Sequence, residues 1–238
     1  MSAVVLLGVV ALAQYGLGDL RPPPPNEQGA IEFHVTSGTD RGPGSLREAI
    51  FAADSADGRA RIVLRSVRIA LQSPLPPLVN AAGVVIEGAA EESEIDARLL
   101  GSGSVFDIEA PDSVIRGVHV LNAPGGAVLV RASGVRLLDL RLANCDEGLL
   151  VAEEADNLVV EQVRFEGNRI GARILSPGRG VILRNNRFHG NREVAVRAVR
   201  ADWAAGAQRG ALQLSGNHFQ DDRMSLVLGN VAVKVEGN

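Results

Sequence analysis

The sequence predicts an all-β protein, folded as a single-stranded, right-handed parallel β-helix whose chain winds through three short strands in every coil. Three observations support this. One line of sequence recurs about every 23 residues, short alternating apolar segments lie between Gly and Asn corners, and aromatic residues make up only 3% of a chain that is 46% hydrophobic. Periods of about 20–50 residues are typical of solenoids, and alternation with a period of two indicates strands.

The repeat is clearest in two segments that share the motif Arg-Phe-x-Gly-Asn-Arg, starting at Arg164 and at Arg187. An apolar position recurs at intervals of 22, 23, 23, 31 and 21 residues, at Ile115, Leu137, Val160, Leu183, Leu214 and Val235. A second alternating segment follows in each repeat, with pairs at Ala127 and Leu129, Leu149 and Val151, Ala172 and Ile174, and Val194 and Val196. A leucine-rich repeat is the competing solenoid, but it needs a helical or leucine-laden return segment, so these strand-like pairs favour the β-helix.

Asparagines at equivalent positions predict polar ladders inside the coils. Asn186, Asn217 and Asn238 share one position, and Asn168 and Asn191 share a second at the following corner. Coils stack about 4.8 Å apart, so the side-chain amides can hydrogen-bond along the stack and satisfy buried polar groups. We expect these ladders to be structural.

The N-terminal segment, residues 1–20, is expected to be a hydrophobic helix that serves as a signal peptide or a transmembrane anchor. Its first 18 residues carry no charged side chain, and as a helix they would span about 27 Å. Ala11-Leu12-Ala13 resembles a signal-peptidase site, although no positive charge precedes the apolar run, and both alternatives stay open. Residues 21–30 form a Pro-rich linker, expected to be a stiff spacer, and residues 31–238 form the β-helix. The sequence stops at Asn238 without a polar cap, so further sequence or a partner is expected to cover that end.

The segment from Gly42 to Ile50 reads Gly-Pro-Gly-Ser-Leu-Arg-Glu-Ala-Ile. Within residues 35–54 it resembles the opening block of bacterial exported right-handed parallel β-helix repeat proteins, and the later repeats resemble theirs. The resemblance covers residues 31–238 and implies a short capping helix near residues 45–53. The residues agree, because Ser45 is a suitable N-cap and Glu48 completes a capping box. Export implies an extracytoplasmic location, periplasmic or at the cell surface.

Catalytic groups are hard to assign. Polygalacturonase-like β-helix enzymes carry paired aspartates, then His-Gly, then Arg-x-Lys, whereas this chain has His189 before Asp221 and Asp222 and no Arg-x-Lys. Pectate-lyase-like enzymes need a calcium-binding carboxylate cluster, but Asp139 and Glu166 lie at different offsets. No general acid/base pair can be nominated, so the sequence leans away from an enzyme. It also suggests no cofactor and no metal site.

The strongest candidate site is a stripe of outward-facing basic residues on successive coils, expected to bind anions. Its members are His119, Arg141, Arg164, Arg187 and His218, with His189 beside them. Guanidinium groups bind carboxylates and phosphates in a bidentate manner, which fits a uronate, a lipid head group or an acidic protein. The alternative is a row of solvated Arg–carboxylate pairs, offset by neighbours such as Glu166 and worth little each. Trp203, in the insertion near residues 198–210, is a candidate exposed contact residue.

These features favour a non-catalytic extracytoplasmic scaffold or binding subunit, attached to the membrane through residues 1–18 and joined to protein partners in a larger assembly. A polysaccharide-binding or polysaccharide-processing β-helix protein, using an acidic polysaccharide, is the first alternative. A surface adhesin fragment is the second. The net charge of -4 gives no electrostatic basis for nucleic-acid binding.

Overall fold

The computed structural model describes residues 3–7, 25–65, 67–175, 180–199, 211–229 and 231–238, and it is mostly parallel β-structure. The first strands are β1 (Ala3–Leu7), β2 (Ile31–Val35), β3 (Ala60–Leu64), β4 (Arg68–Ala70), β5 (Val84–Glu87), β6 (Glu94–Asp96), β7 (Ser104–Ile108), β8 (Val114–Arg116), β9 (His119–Leu121), β10 (Gly126–Val130), β11 (Arg136–Leu138) and β12 (Arg141–Ala143). They are followed by β13 (Glu147–Val151), β14 (Leu158–Glu161), β15 (Arg164–Glu166), β16 (Ile170–Ile174), β17 (Val181–Arg184), β18 (Arg187–His189), β19 (Val194–Val199), β20 (Ala211–Ser215), β21 (His218–Gln220), β22 (Met224–Gly229) and β23 (Ala232–Glu236). Helix α1 spans Leu46–Asp54, and a 3₁₀ turn spans Ala90–Glu92.

The strands form three parallel sheets that run along a solenoid of about seven coils. Sheet A has the order β1-β22-β19-β16-β13-β10-β7. Sheet B has the order β2-β3-β5-β8-β11-β14-β17-β20-β23, and sheet C has the order β21-β18-β15-β12-β9-β6-β4. In the repeat region each strand pairs with its equivalents one coil before and one coil after it. The predicted parallel β-helix is therefore confirmed, while its right-handed winding stays a prediction.

The predicted repeat register is confirmed in sheet B, where one inward column runs through Ile115, Leu137, Val160, Leu183, Leu214 and Val235. On sheet A, two of the four predicted apolar pairs are wrong. Leu149 and Val151 align with Ala172 and Ile174 as expected, but β10 aligns through Val128 and Val130, and β19 aligns through Val196 and Ala198. Both strands are nearly continuous apolar runs, and such runs specify their phase weakly.

The corners of the coils repeat in backbone conformation. Two columns of residues adopt the left-handed region, with φ between 50° and 62°: the first contains Gly117, Asp139, Gln162, Asn185 and Gly216, and the second contains Asn122, Asn144, Gly167, Gly190 and Asp221. This region is open to glycine and is tolerated best by asparagine and aspartate among the other residues. The sequence therefore places Gly, Asn and Asp where each coil must turn sharply.

The core is one apolar column, and its aromatic part is a stack of phenylalanines on sheet C. The ring centroids of Phe165 and Phe188 are 4.6 Å apart, and those of Phe188 and Phe219 are 5.0 Å apart, with nearly parallel planes. Gly171 makes room for this stack, because a Cβ there would lie 3.0 Å from Cδ1 of Phe188 and 2.4 Å from the carbonyl oxygen of Ala195. Side chains about 23 residues apart thus lie directly above one another.

Both predicted asparagine ladders are present. The Asn186 side-chain oxygen accepts a hydrogen bond from the Val163 amide at 2.9 Å, and its Nδ2 donates to the Val160 carbonyl at 3.1 Å and to Oδ1 of Asn217 at 3.0 Å. Asn238 extends this ladder by accepting from Nδ2 of Asn217 at 2.8 Å. Each amide therefore links three coils and satisfies backbone groups that the corner leaves free.

Helix α1 packs on β2 and β3 and buries Leu46, Ile50 and Ala53. The Ser45 hydroxyl accepts from the Glu48 amide at 3.4 Å, which is the expected N-cap. That this helix closes the end of the core column stays a prediction.

Asp40 fixes the opening block in place. Its carboxylate accepts hydrogen bonds from the Arg47 guanidinium at 3.0 Å, from the Ser73 hydroxyl at 2.9 Å and from the Gln72 amide at 3.1 Å. Burial alone raises the pKa of Asp40, but these hydrogen bonds and the charge of Arg47 outweigh burial and lower that pKa to about 2. The opening block is thereby tied to the chain that follows β4.

The N-terminal segment differs from the expected helix where the structure describes it. Residues 3–7 form β1, which pairs in parallel with β22 at the edge of sheet A. Ala-Val-Val-Leu-Leu suits a strand, and an unpaired sheet edge offers it hydrogen-bonding groups. Residues 8–24 lie outside the described residues. Within the described part of the chain, no helix has the length and hydrophobicity that a bilayer crossing requires.

The described end of the linker contacts the solenoid. Glu27 binds the Arg116 guanidinium through both of its carboxylate oxygens, at 2.8 and 2.9 Å. Arg116 lies on β8, so this part of the linker rests against the outer face of sheet B. A bidentate pair of this kind fixes orientation as well as distance.

Candidate functional site

Sheet C carries the predicted basic stripe in register. His119, Arg141, Arg164, Arg187 and His218 are paired partners on β9, β12, β15, β18 and β21. Neighbouring members therefore stand one strand spacing apart, about 4.8 Å. The predicted alignment is confirmed, whereas anion binding by these residues stays a prediction.

His119 does not face solvent, which corrects its expected place in the stripe. It is only 4% exposed, and its Nε2 lies 3.5 Å from Nη2 of Arg164. Burial lowers the pKa of His119, and the charges of Arg164 and Arg141 lower it further. The guanidinium of Arg164 can only donate, so this contact requires an unprotonated Nε2 on His119.

Arg141 is neutralised by a carboxylate of the next coil. Its Nε donates to Oε2 of Glu166 at 2.8 Å. Asp139, expected to flank the same arginine, lies at a left-handed corner with φ of 50° and makes no ion pair with an arginine among the described residues. One of the two predicted carboxylate partners is therefore present.

Arg164 and Arg187 have no carboxylate partner in the described part of the chain. Their Cα positions are paired across β15 and β18, so the two side chains leave neighbouring strands at the same level. Nη2 of Arg187 donates only to the neutral side chain of Gln220, at 3.2 Å. His218, next in the column, is exposed. This half of the stripe therefore carries positive charge that no described neighbour offsets.

The arginines on the other two sheets are different, because their charges are paired. On sheet B, Arg61 binds Glu87 and Arg184 binds Glu161. On sheet A, the pairs are Arg131 with Asp107, Arg173 with Glu147 and Arg197 with Glu193. Exposed pairs of this kind add little stability, but they cancel charge. Among the described residues, sheet C thus carries arginines without a carboxylate partner, whereas the arginines named on sheets A and B are paired.

The stripe continues around the corner between sheets C and A, which sequence reasoning missed. Arg169, Arg192 and Arg223 follow the ladder residues of successive coils, and each backbone amide bonds a carbonyl one coil below. Arg169 is held by Asp146 and Glu193, whereas Arg192 and Arg223 are exposed and form no ion pair among the described residues. The repeated Gly-Asn-Arg triplet was the available signal. We call Arg164, Arg187, His218, Arg192 and Arg223 together the basic surface.

His189 and the two aspartates do not form a paired-carboxylate site. Asp221 lies at a left-handed corner, with 70% of its side chain exposed and 3.7 Å from Nδ1 of His189. Asp222 points the other way: it is 6% exposed and accepts from the Asn191 amide at 2.8 Å inside the column. The two carboxylates therefore diverge, as adjacent residues at a corner do. His189 remains beside the basic surface.

Two further features of the sequence were singled out, Trp203 and Cys145. Trp203 lies outside the described residues. Cys145 is buried, its amide donates to Oδ1 of Asn168 at 2.9 Å, and burial raises the pKa of its thiol to about 11. Among the described residues, no cluster of three or more His, Cys, Asp or Glu side chains is arranged to hold a metal ion.

Comparisons with known proteins add no relative. No protein-family model matches the chain, and no curated protein matches it.

Proposed function

We propose that the protein is a non-catalytic binding scaffold whose basic surface holds a carboxylate-bearing partner. The observation that carries this proposal is the pairing of Arg164 with Arg187 on neighbouring strands, with no carboxylate partner for either among the described residues. Like charges this close repel one another, so an arriving anion gains from both guanidiniums at once. A rigid solenoid suits this role, because its register holds the cations in a fixed row.

The proposed setting is outside the cytoplasm, in the periplasm or at the cell surface, in a membrane-associated assembly with protein partners. The resemblance of residues 35–54 to the opening block of exported β-helix repeat proteins supports this setting. Closure of the first coil by α1 belongs to the same proposal. The N-terminal segment is either cleaved as a signal peptide or retained, and only the retained form contains β1. Mass spectrometry of the mature N-terminus separates the two.

An acidic polysaccharide is the second candidate for the partner, and the spacing of the cations favours it. The arginine positions recur with the coil, with backbones about 4.8 Å apart along the solenoid axis. A uronic-acid polymer carries one carboxylate on every ring and can lie along such a row. A β-strand places side chains of one face about 6.6 Å apart, which fits the row less well.

We predict that polygalacturonate binds the protein and that Arg164→Gln/Arg187→Gln weakens binding at least about fivefold, since a charged hydrogen bond contributes about 1.5–3 kcal/mol and exposed pairs contribute less. Calorimetric titration at 50 mM and 200 mM salt measures both the loss and its screening. Poly-L-glutamate and neutral dextran serve as comparison ligands.

Arg131→Gln/Arg197→Gln is the matched control. It removes the same charge from sheet A, where both arginines are paired. Equal losses in the two double variants would show that net charge alone drives binding. Binding of polyglutamate and not of polygalacturonate would favour an acidic protein partner over an acidic polysaccharide. No binding of either polyanion by the wild-type protein contradicts the proposed function.

A further inference from the structure

The corner ladder ends in an aspartate where the lower rungs are asparagines. Asn168 and Asn191 occupy successive rungs, and Asp222 occupies the next one, because both the amide and Nδ2 of Asn191 donate to its Oδ1, at 2.8 and 2.7 Å. Asp222 is 6% exposed, and its second oxygen, Oδ2, is buried without a hydrogen-bond partner. A buried polar atom without a partner is rare and needs a physical explanation.

The rungs below show what this second atom faces. Nδ2 of Asn168 donates to the Leu142 carbonyl at 2.9 Å, and Nδ2 of Asn191 donates to the Phe165 carbonyl at 3.1 Å. Phe165 is paired with Phe188 on the next strand. By the same register, Oδ2 of Asp222 takes the place of Nδ2 and faces the Phe188 carbonyl. Two oxygen acceptors form a hydrogen bond only when one of them carries a proton.

We propose that the Asp222 carboxyl is protonated in the folded protein and donates to the main-chain carbonyl of Phe188, which makes the packing of the last coils proton-dependent. A carboxylic acid then reproduces the hydrogen bonds of an asparagine amide. The inference stands apart from the proposed function, although β21 and Arg223 adjoin this rung and belong to the basic surface.

The surroundings of Asp222 agree with a retained proton. Burial is the largest influence and raises the pKa of Asp222, although the two hydrogen bonds from Asn191, the charge of His189 and the Gln220 backbone amide act to lower it. The other charged groups nearby are its chain neighbours Asp221 and Arg223 and, one coil below, Arg192. Asp221 and Arg223 oppose each other in sign, and both are exposed to solvent, which screens them.

The sign of the pH dependence follows from linkage. A carboxyl whose pKa is higher in the folded state than in the unfolded state binds more protons when folded, so its contribution is complete below the unfolded pKa and is lost as pH rises through the folded pKa. Asp222→Asn supplies a permanent donor at this position. We therefore expect the melting temperatures of variant and wild type to be alike near pH 4, and the variant to melt higher at pH 8, by about 3–5 °C for each pKa unit of difference.

Thermal melts from pH 4 to pH 8 test this, with Asp146→Asn as the matched control. The hydrogen bond from Arg169 lowers the pKa of Asp146, so this control is expected to melt lower than wild type at pH 8 and to approach it in acid. Carbon-13 NMR of labelled aspartate provides an independent measurement. We expect the carboxyl signal of one buried aspartate to be that of a protonated acid at pH 7, and to be absent from the spectrum of Asp222→Asn. An Asp222→Asn variant that melts lower than wild type at pH 8, or equally at every pH, overturns the proposal. So does a spectrum in which all aspartates are ionised at pH 7.

Discussion

Phe188→Ala is expected to lower the free energy of unfolding by about 3–5 kcal/mol, the range found for large-to-small changes of buried aromatic residues. Phe188 is fully buried and stacked on both sides, with Phe165 4.6 Å away and Phe219 5.0 Å away between ring centroids. Its removal leaves a cavity in the middle of a continuous stack, where neighbours on two coils lose contact. Urea unfolding followed by circular dichroism measures the change.

Phe51→Ala provides the comparison for that loss. Phe51 lies on helix α1, and 57% of it is exposed, so its truncation is expected to change stability by about 0.5 kcal/mol or less. The two substitutions remove the same atoms and differ in burial. Equal losses would mean that Phe188 is not inside a stacked core.

Asn186→Ala is expected to lower the free energy of unfolding by about 2–6 kcal/mol, because it leaves two buried backbone groups without a partner at about 1–3 kcal/mol each. These are the Val163 amide and the Val160 carbonyl, which Asn186 now binds at 2.9 and 3.1 Å. The Asn186 side chain completes the backbone hydrogen bonding of a corner, so its removal is costly although it is a polar group in an apolar core. Chemical denaturation of this variant and the wild type measures the difference in the free energy of unfolding.

Asn238→Ala is the matched control at the end of the same ladder. Asn238 also binds a backbone carbonyl, that of Leu214 at 3.0 Å, but it is exposed. Water can replace the lost bonds there, so the loss is expected to be clearly smaller than at Asn186. A loss at Asn238 as large as that at Asn186 would show that burial does not set the cost.

The sheet register was largely predictable, and the reason is physical. Stacking favours the same residue type at the same place in each coil. The recurrence of Asn186 and Asn217 and of the Arg-Phe motifs therefore predicts which residues lie above one another. The phase of β10 and β19 was not predictable from alternation, since apolar residues occupy both faces there. In the structure the outward positions on sheet A include Arg173 and Arg197, which form ion pairs with Glu147 and Glu193.

The site was only partly predictable for a different reason. The outward position of the stripe follows from the repeat, but the charge state of each member depends on neighbours that the repeat does not specify. Glu166 neutralises Arg141 from the next coil. His119 is buried, whereas His218 in the same column is exposed. Arg164 and Arg187 differ from Arg141 only in having no carboxylate partner among the described residues.

The central claim is that residues one repeat apart, such as Arg164 and Arg187, stand side by side on sheet C. Arg164→Cys/Arg187→Cys tests it directly, because a strand spacing of about 4.8 Å lies within the range that a disulfide bridges, about 4.4–6.8 Å between Cα atoms. Arg164→Cys/His189→Cys is the control, since that diagonal on the same face is about 8 Å. Cys145 does not interfere, as its thiol is buried with a pKa of about 11.

Mild oxidation followed by mass spectrometry of peptides is the measurement. The stacked solenoid predicts rapid crosslinking of positions 164 and 187 within one chain, with little crosslinking of 164 and 189. Equal crosslinking of both pairs, or crosslinking of neither, would contradict the register on which the basic surface rests.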